Sequence, residues 1–173
     1  MKTKTTGLIL AFCFLVAAAC FAADAQMGTW RLNESKSKFT PGTGKNTMVV
    51  YKAATGGQVK ITADGVDSHG NATHSEWTGR FDGKEYPVSG DPIADMRSYT
   101  RVDDRTLNFT GKKGGKITVN GRVVVAADGK SRTVTTTGTI GTAAPAGRAW
   151  QRGDFLEKQQ GKKFKNVAVF DKQ

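Results

Sequence analysis

Past residue 25 the chain holds no cysteine: its two, Cys13 and Cys20, both lie before that point. Disulfides, thiolate nucleophiles and cysteine-held metals are thereby excluded from everything that follows. Histidine is as scarce, with His69 and His74 alone. Even with Asp67 and Glu76 nearby, two loosely spaced histidines fall short of the three fixed ligands of a catalytic zinc site. No metal and no other cofactor is expected. A Gly-x-Ser-x-Gly elbow is missing too, and neither glycine-rich candidate completes a phosphate-binding loop. Gly42-Thr43-Gly44-Lys45 has no Ser or Thr after the lysine, and Val124 stands where the loop ending in Gly129-Lys130-Ser131 needs its first glycine. The adjacent carboxylates Asp103 and Asp104 point apart on an extended chain and cannot converge on one bond. Nothing here names a nucleophile or an acid–base pair, so a binding role is expected in preference to an enzymatic one.

What is present begins with Lys2 and Lys4, an uncharged run over residues 8–19, and Ala23-Asp24-Ala25. This is the three-part pattern of a secretory leader cut after Ala25, and its apolar stretch is shorter than the ~20 residues a membrane anchor takes. Residues 1–25 are therefore expected to be a signal peptide and 26–173 a single domain, secreted or periplasmic. Cys20 behind Ala17-Ala18-Ala19 offers an alternative, lipid attachment, although Ala17 stands where that signal favours Leu. The formal charge of the whole sequence is +11, and loss of Lys2, Lys4 and Asp24 leaves +10. Such a charge biases the surface toward anionic polymers. Its densest group is Lys158, Lys162, Lys163 and Lys165; elsewhere Asp and Glu are interleaved, without the one-sided stripe of a nucleic-acid binder. A monomer with no nucleic-acid partner is expected.

From residue 48 onward apolar side chains recur mostly at every second position, the period of a strand with one dry face. The clearest segment is 73–82, where Trp77, Gly79 and Phe81 share one face and His74, Glu76, Thr78 and Arg80 the other. Others are 48–53, 58–63, 84–89, 96–102, 106–110, 116–126, 132–140 and 166–171. Between them stand turn signals: Gly56-Gly57, Asp64-Gly65, His69-Gly70-Asn71, Asp82-Gly83, Asp103-Asp104, Gly114-Gly115 and Asp128-Gly129. Roughly nine or ten strands at this spacing predict an all-β fold. An antiparallel up-and-down β-barrel is preferred, because tight connections permit it and closure removes exposed edges. Two stretches break the rhythm. Residues 33–46 read as a loop with one helical turn crossing an end of the barrel, and 154–160 as a short helix capped by Asp154.

The opening Gly28-Thr29-Trp30 resembles the Gly-x-Trp signature of the lipocalin-like (calycin) barrels. Gly28-Thr29-Trp30-Arg31-Leu32-Asn33 with Ser35-Lys36-Ser37-Lys38-Phe39, the segment Asp82-Gly83-Lys84-Glu85-Tyr86-Pro87-Val88 and the closing Val167-Ala168-Val169-Phe170-Asp171-Lys172 are similar to a group of small secreted bacterial proteins of that architecture. The resemblance implies that Trp30 closes the bottom of the barrel against a basic side chain of the last strand, where Lys165 or Lys172 would stand in for an arginine. The Thr-Asp-Tyr segment of true lipocalins is missing.

A barrel of eight or more strands can hold one small ligand. By alternation the inward residues are Val59, Ile61, Trp77, Phe81, Val88, Met96, Leu107, Phe109, Ile117, Val119, Val123 and Val134, with Thr136 among them. Trp77, Phe81, Ile61, Phe109 and Val119 are the expected ligand-binding residues, for a small apolar or amphipathic molecule, and Gly79 is expected to leave room beside the first two. The alternative is docking on an anionic envelope polymer, lipid or polysaccharide, through Lys158, Lys162, Lys163 and Lys165 with Phe155, Leu156 and Phe164.

Overall fold

Period-two alternation becomes ten strands. The computed structural model describes residues 24–140 and 161–173, and its strands are β1 (Gly28–Leu32), β2 (Lys45–Ala54), β3 (Gln58–Val66), β4 (Ala72–Gly79), β5 (Asp82–Ser89), β6 (Met96–Asp103), β7 (Thr106–Lys113), β8 (Lys116–Val125), β9 (Ser131–Thr139) and β10 (Lys163–Lys172). Each pairs antiparallel with its sequence neighbour except across the 1–10 joint, where the first strand pairs the last and closes the ring. The fold is an all-β, closed, up-and-down barrel. A two-residue connection shows how the sequence directs it: Gly114 and Gly115 both take positive φ, 55° and 76°, between β7 and β8. Side chains other than glycine rarely tolerate two such residues in succession.

Two expected turns lie inside strands instead. Asp64-Gly65 belongs to β3, where Gly65 is needed because β2 crosses so closely that a Cβ would sit 2.2 Å from the Lys45 carbonyl oxygen. The reversal comes later, where the Asp67 carboxylate accepts from the His69 and Asn71 backbone amides. Asp82-Gly83 likewise belongs to β5, and a register shift between Asp82 and Glu85 absorbs the irregularity. The helical turn expected after the first strand is present as a single 3-10 turn, Glu34–Lys36. This segment does not cross an end of the barrel. It runs along β10: Lys38 and Val167 exchange backbone hydrogen bonds of 2.7 and 2.8 Å, and the Thr40 amide donates to the Asn166 side chain. Because β1 is only five residues long, it pairs β10 from Trp30 to Leu32 alone; residues 33–40 cover the remaining edge. The helix expected over 154–160 falls outside the described residues.

The core is the barrel's interior. Trp30, Val49, Tyr51, Ile61, Ala63, Trp77, Tyr99, Leu107, Val123, Val125 and Phe170 are buried there. Two expected inward residues are not. A register shift opposite Gly111 and Lys112 puts one extra residue, Thr118, into β8; a bulge reverses the facing of what precedes it, and Ile117 is left 60% exposed. On β6 the facing is the reverse of that expected. Met96 pairs Lys112 on the outer parity, while Arg97 and buried Tyr99 point inward.

The floor is built on Trp30, which has no exposed surface. Its indole N–H donates to the Gln26 carbonyl at 2.9 Å, and the Gln26 side chain donates to the Arg105 carbonyl, also at 2.9 Å. Asp24 ion-pairs with Arg101. Trp30→Ala is expected to lower the unfolding free energy by about 3–5 kcal/mol, the range for emptying a large aromatic site, measured by urea denaturation.

Candidate functional site in the barrel interior

All five residues expected to bind a ligand line the interior, in two groups. Ile61 pairs Trp77 across β3 and β4, and the Trp77 and Phe81 rings stack with centroids 6.2 Å apart and planes 7° from parallel. Tyr99 joins this wall to Phe109, its ring centroid 4.8 Å from that of Trp77 and 5.6 Å from that of Phe109. Val119 stands apart, packed over Gly111. Gly79 leaves no room: a Cβ there would lie 2.6 Å from the rings of both Trp77 and Tyr86. The glycine admits two aromatic side chains rather than a ligand, and Gly121 does the same beneath Phe109.

The interior also holds residues that alternation of apolar side chains alone passes over. Arg97 lies beneath the 89–95 connection, its Nη2 donating to the Asp91 carboxylate at 2.5 Å, with both side chains largely buried. Its carbonyl accepts from the Trp77 indole at 3.0 Å, and its guanidinium stacks over Phe109. Arg132, 2% exposed, sits toward the floor with its guanidinium carbon 4.7 Å from the ring centre of Tyr51, 4.8 Å from Trp30 and 5.2 Å from Phe170. Lys172 Nζ lies 5.1 Å from the Trp30 ring centre. The basic partner of Trp30 is thus Lys172 of the last strand together with Arg132 of β9; Lys165 lies exposed toward the opposite end of β10.

Electrostatics set the two arginines apart. Asp91 neutralises Arg97, and although burial works against its charge, Tyr99 and Asp91 outweigh that and raise its pKa. Burial depresses the pKa of Arg132. None of the ion pairs among the described residues includes Arg132, and its Nε and Nη1 have no hydrogen-bond partner there. Withdrawing an ion from water costs several kcal/mol. A desolvated cation over a ring returns about 2 kcal/mol, so three rings go far to hold the charge. They leave Nε and Nη1 unmet, at roughly 1–3 kcal/mol each. Tyr51 and Tyr99 each favour the charged form of both guanidiniums. Burial, then Tyr99, pushes the Tyr51 hydroxyl well above its ordinary value of 10.0 against the opposing pull of Arg132 and Arg97.

No family model matches this chain, and no curated protein matches it. Among solved structures it is similar to EF1p2_mFAP2b bound to DFHBI, at 15% identity and a TM-score of 0.45, over 88% of this chain and 97% of that one.

Outside the barrel, His74 contacts Asp64 at 2.6 Å and Glu76 at 3.6 Å on an exposed face. Of the basic group at 158–165, Lys162, Lys163 and Lys165 are exposed, but Phe164 turns inward and covers Gly138. Phe155, Leu156 and Lys158 lie outside the described residues.

Two outcomes test this interior. Gly79→Leu is expected to overpack the ring cluster and destabilise by about 1–3 kcal/mol, read by thermal or urea unfolding. Because Tyr51 is harder to ionise folded than unfolded, its contribution is complete below pH 10.0 and is lost as pH rises past that value. Stability should fall there by about 1.4 kcal/mol per pH unit for this one group, and Tyr51→Phe should remove that share of the slope in alkaline titration.

Proposed function

We propose that the protein is an exported barrel that takes a small apolar or amphipathic molecule into its interior. The observation that carries this reading is the joint between β4 and β5. It is held by two residue pairs, Glu76 with Ser89 and Trp77 with Val88, fewer than any other joint of the ring. Pro87, next to it, has no N–H to extend the ladder. A groove of about 260 Å³ lies over the joint, lined by Glu76, Thr78, Pro87, Val88 and Ser89. Directly behind it stand the Trp77, Phe81 and Tyr86 rings. A weakly zipped seam backed by aromatic side chains is a route by which an apolar molecule enters as the rings shift. Aromatic walls with a few polar groups are the usual composition of small-molecule sites.

Docking on an anionic envelope polymer has less support, since Phe164 is withdrawn from the basic surface it was expected to join. The neutral dye Nile red separates the readings. Its uptake should brighten the dye, quench tryptophan emission and respond little to salt, whereas contacts at an exposed basic surface weaken as ionic strength rises. A disulfide across the seam, from Glu76→Cys with Ser89→Cys, should slow dye entry several-fold when oxidised and release it on reduction. Absence of dye binding in the parent protein defeats the proposal; an unchanged entry rate in the oxidised variant defeats the seam as the route.

A further inference from the structure

Resting on the interior as the ligand site, we propose that Arg132, beside the ring of Tyr51, holds the acid group of a singly charged amphipathic molecule: a carboxylate on a short apolar tail. The charge count points to a monoanion. Arg97 is neutralised by Asp91, so of the two interior guanidiniums only that of Arg132 has no carboxylate partner among the described residues. Geometry points to an oxyanion rather than to packing alone. Trp30, Tyr51 and Phe170 bring their ring centres within 5.2 Å of the guanidinium carbon, yet Nε and Nη1 have no hydrogen-bond partner. Carboxylates accept from such N–H donors through charge-assisted hydrogen bonds. A phenol, protonated throughout the physiological range, adds a donor of the same polarity. The tail is implied by what lies between Arg132 and the seam: Tyr51, Phe81, Tyr99 and Trp77 form a continuous series of rings, the Tyr51 and Phe81 centroids 6.5 Å apart and those of Phe81 and Tyr99 5.8 Å. A polar head at the floor and an apolar tail along this wall fit one molecule.

Octanoate and its uncharged methyl ester test the assignment, each titrated calorimetrically into the full exported protein. The parent should bind octanoate about tenfold more tightly than the ester, the factor carried by one charge-assisted contact. Arg132→Met should abolish that preference while keeping ester binding, and Tyr51→Phe should reduce it. Equal affinities in the parent, or a preference that survives Arg132→Met, would overturn the assignment. Should Arg132→Met not fold, Tyr51→Phe decides alone, an unchanged preference counting against the site. Ester or Nile red binding without acid preference removes only the oxyanion site. Binding of none of the three defeats the ligand reading as well.

Discussion

A buried guanidinium enclosed by three aromatic rings is the constraint on which the lower half of this barrel depends. Arg132 is too costly to leave dry unless its faces are covered, and the covering residues come from β1, β2 and β10: Trp30, Tyr51 and Phe170. Those strands meet where the ring closes. The stack therefore ties the closing joint to β9, and Trp30 serves two ends at once, covering the cation and, through its indole N–H, anchoring Gln26 as part of the floor. A five-residue first strand would hold a barrel shut poorly by its ladder alone; the side chains it carries supply what its length does not.

The upper half is organised by rings rather than by aliphatic packing. Glycines at 79 and 121 lie on the inner face beneath aromatic side chains, each drawn down onto bare backbone. The result is a wall that is apolar, polarisable and edged with phenol groups, below a mouth where Arg97 is already matched to Asp91. An unmatched cation at one end and a loosely zipped seam at the other give the interior a direction, which a uniformly aliphatic barrel would lack.

Strand number, antiparallel pairing and closure were legible because alternation and glycine turns are local signals. The turn signals misled where glycine serves another purpose: Asp64-Gly65 reads as a reversal, yet Gly65 is there for the close approach of β2. Facing failed where a bulge intervened, as at Ile117. The two interior arginines were hidden by the habit of counting charge as solvent-facing. For Arg132 the signal was available, since it shares parity with Val134 and Thr136 on β9; for Arg97 the parity of Tyr99 would have served. What no periodicity conveys is that three rings from distant strands converge on one guanidinium, because that depends on register around the whole ring.

The joint between β4 and β5, the shortest ladder of the ring, differs from the β1–β10 closure in one topological respect. These strands are neighbours in the chain, linked through Arg80 and Phe81, so parting them leaves the β1–β10 closure and all remaining ladders in place. The barrel can stand ajar without coming apart. Strand edges exposed in this way are templates for association with other chains, and here they carry their own deterrents: Pro87, which cannot donate, and Glu76, Arg80, Lys84 and Glu85 along the two borders. The shortest ladder of the ring is thus bordered by residues that discourage a second copy of the sheet from pairing there.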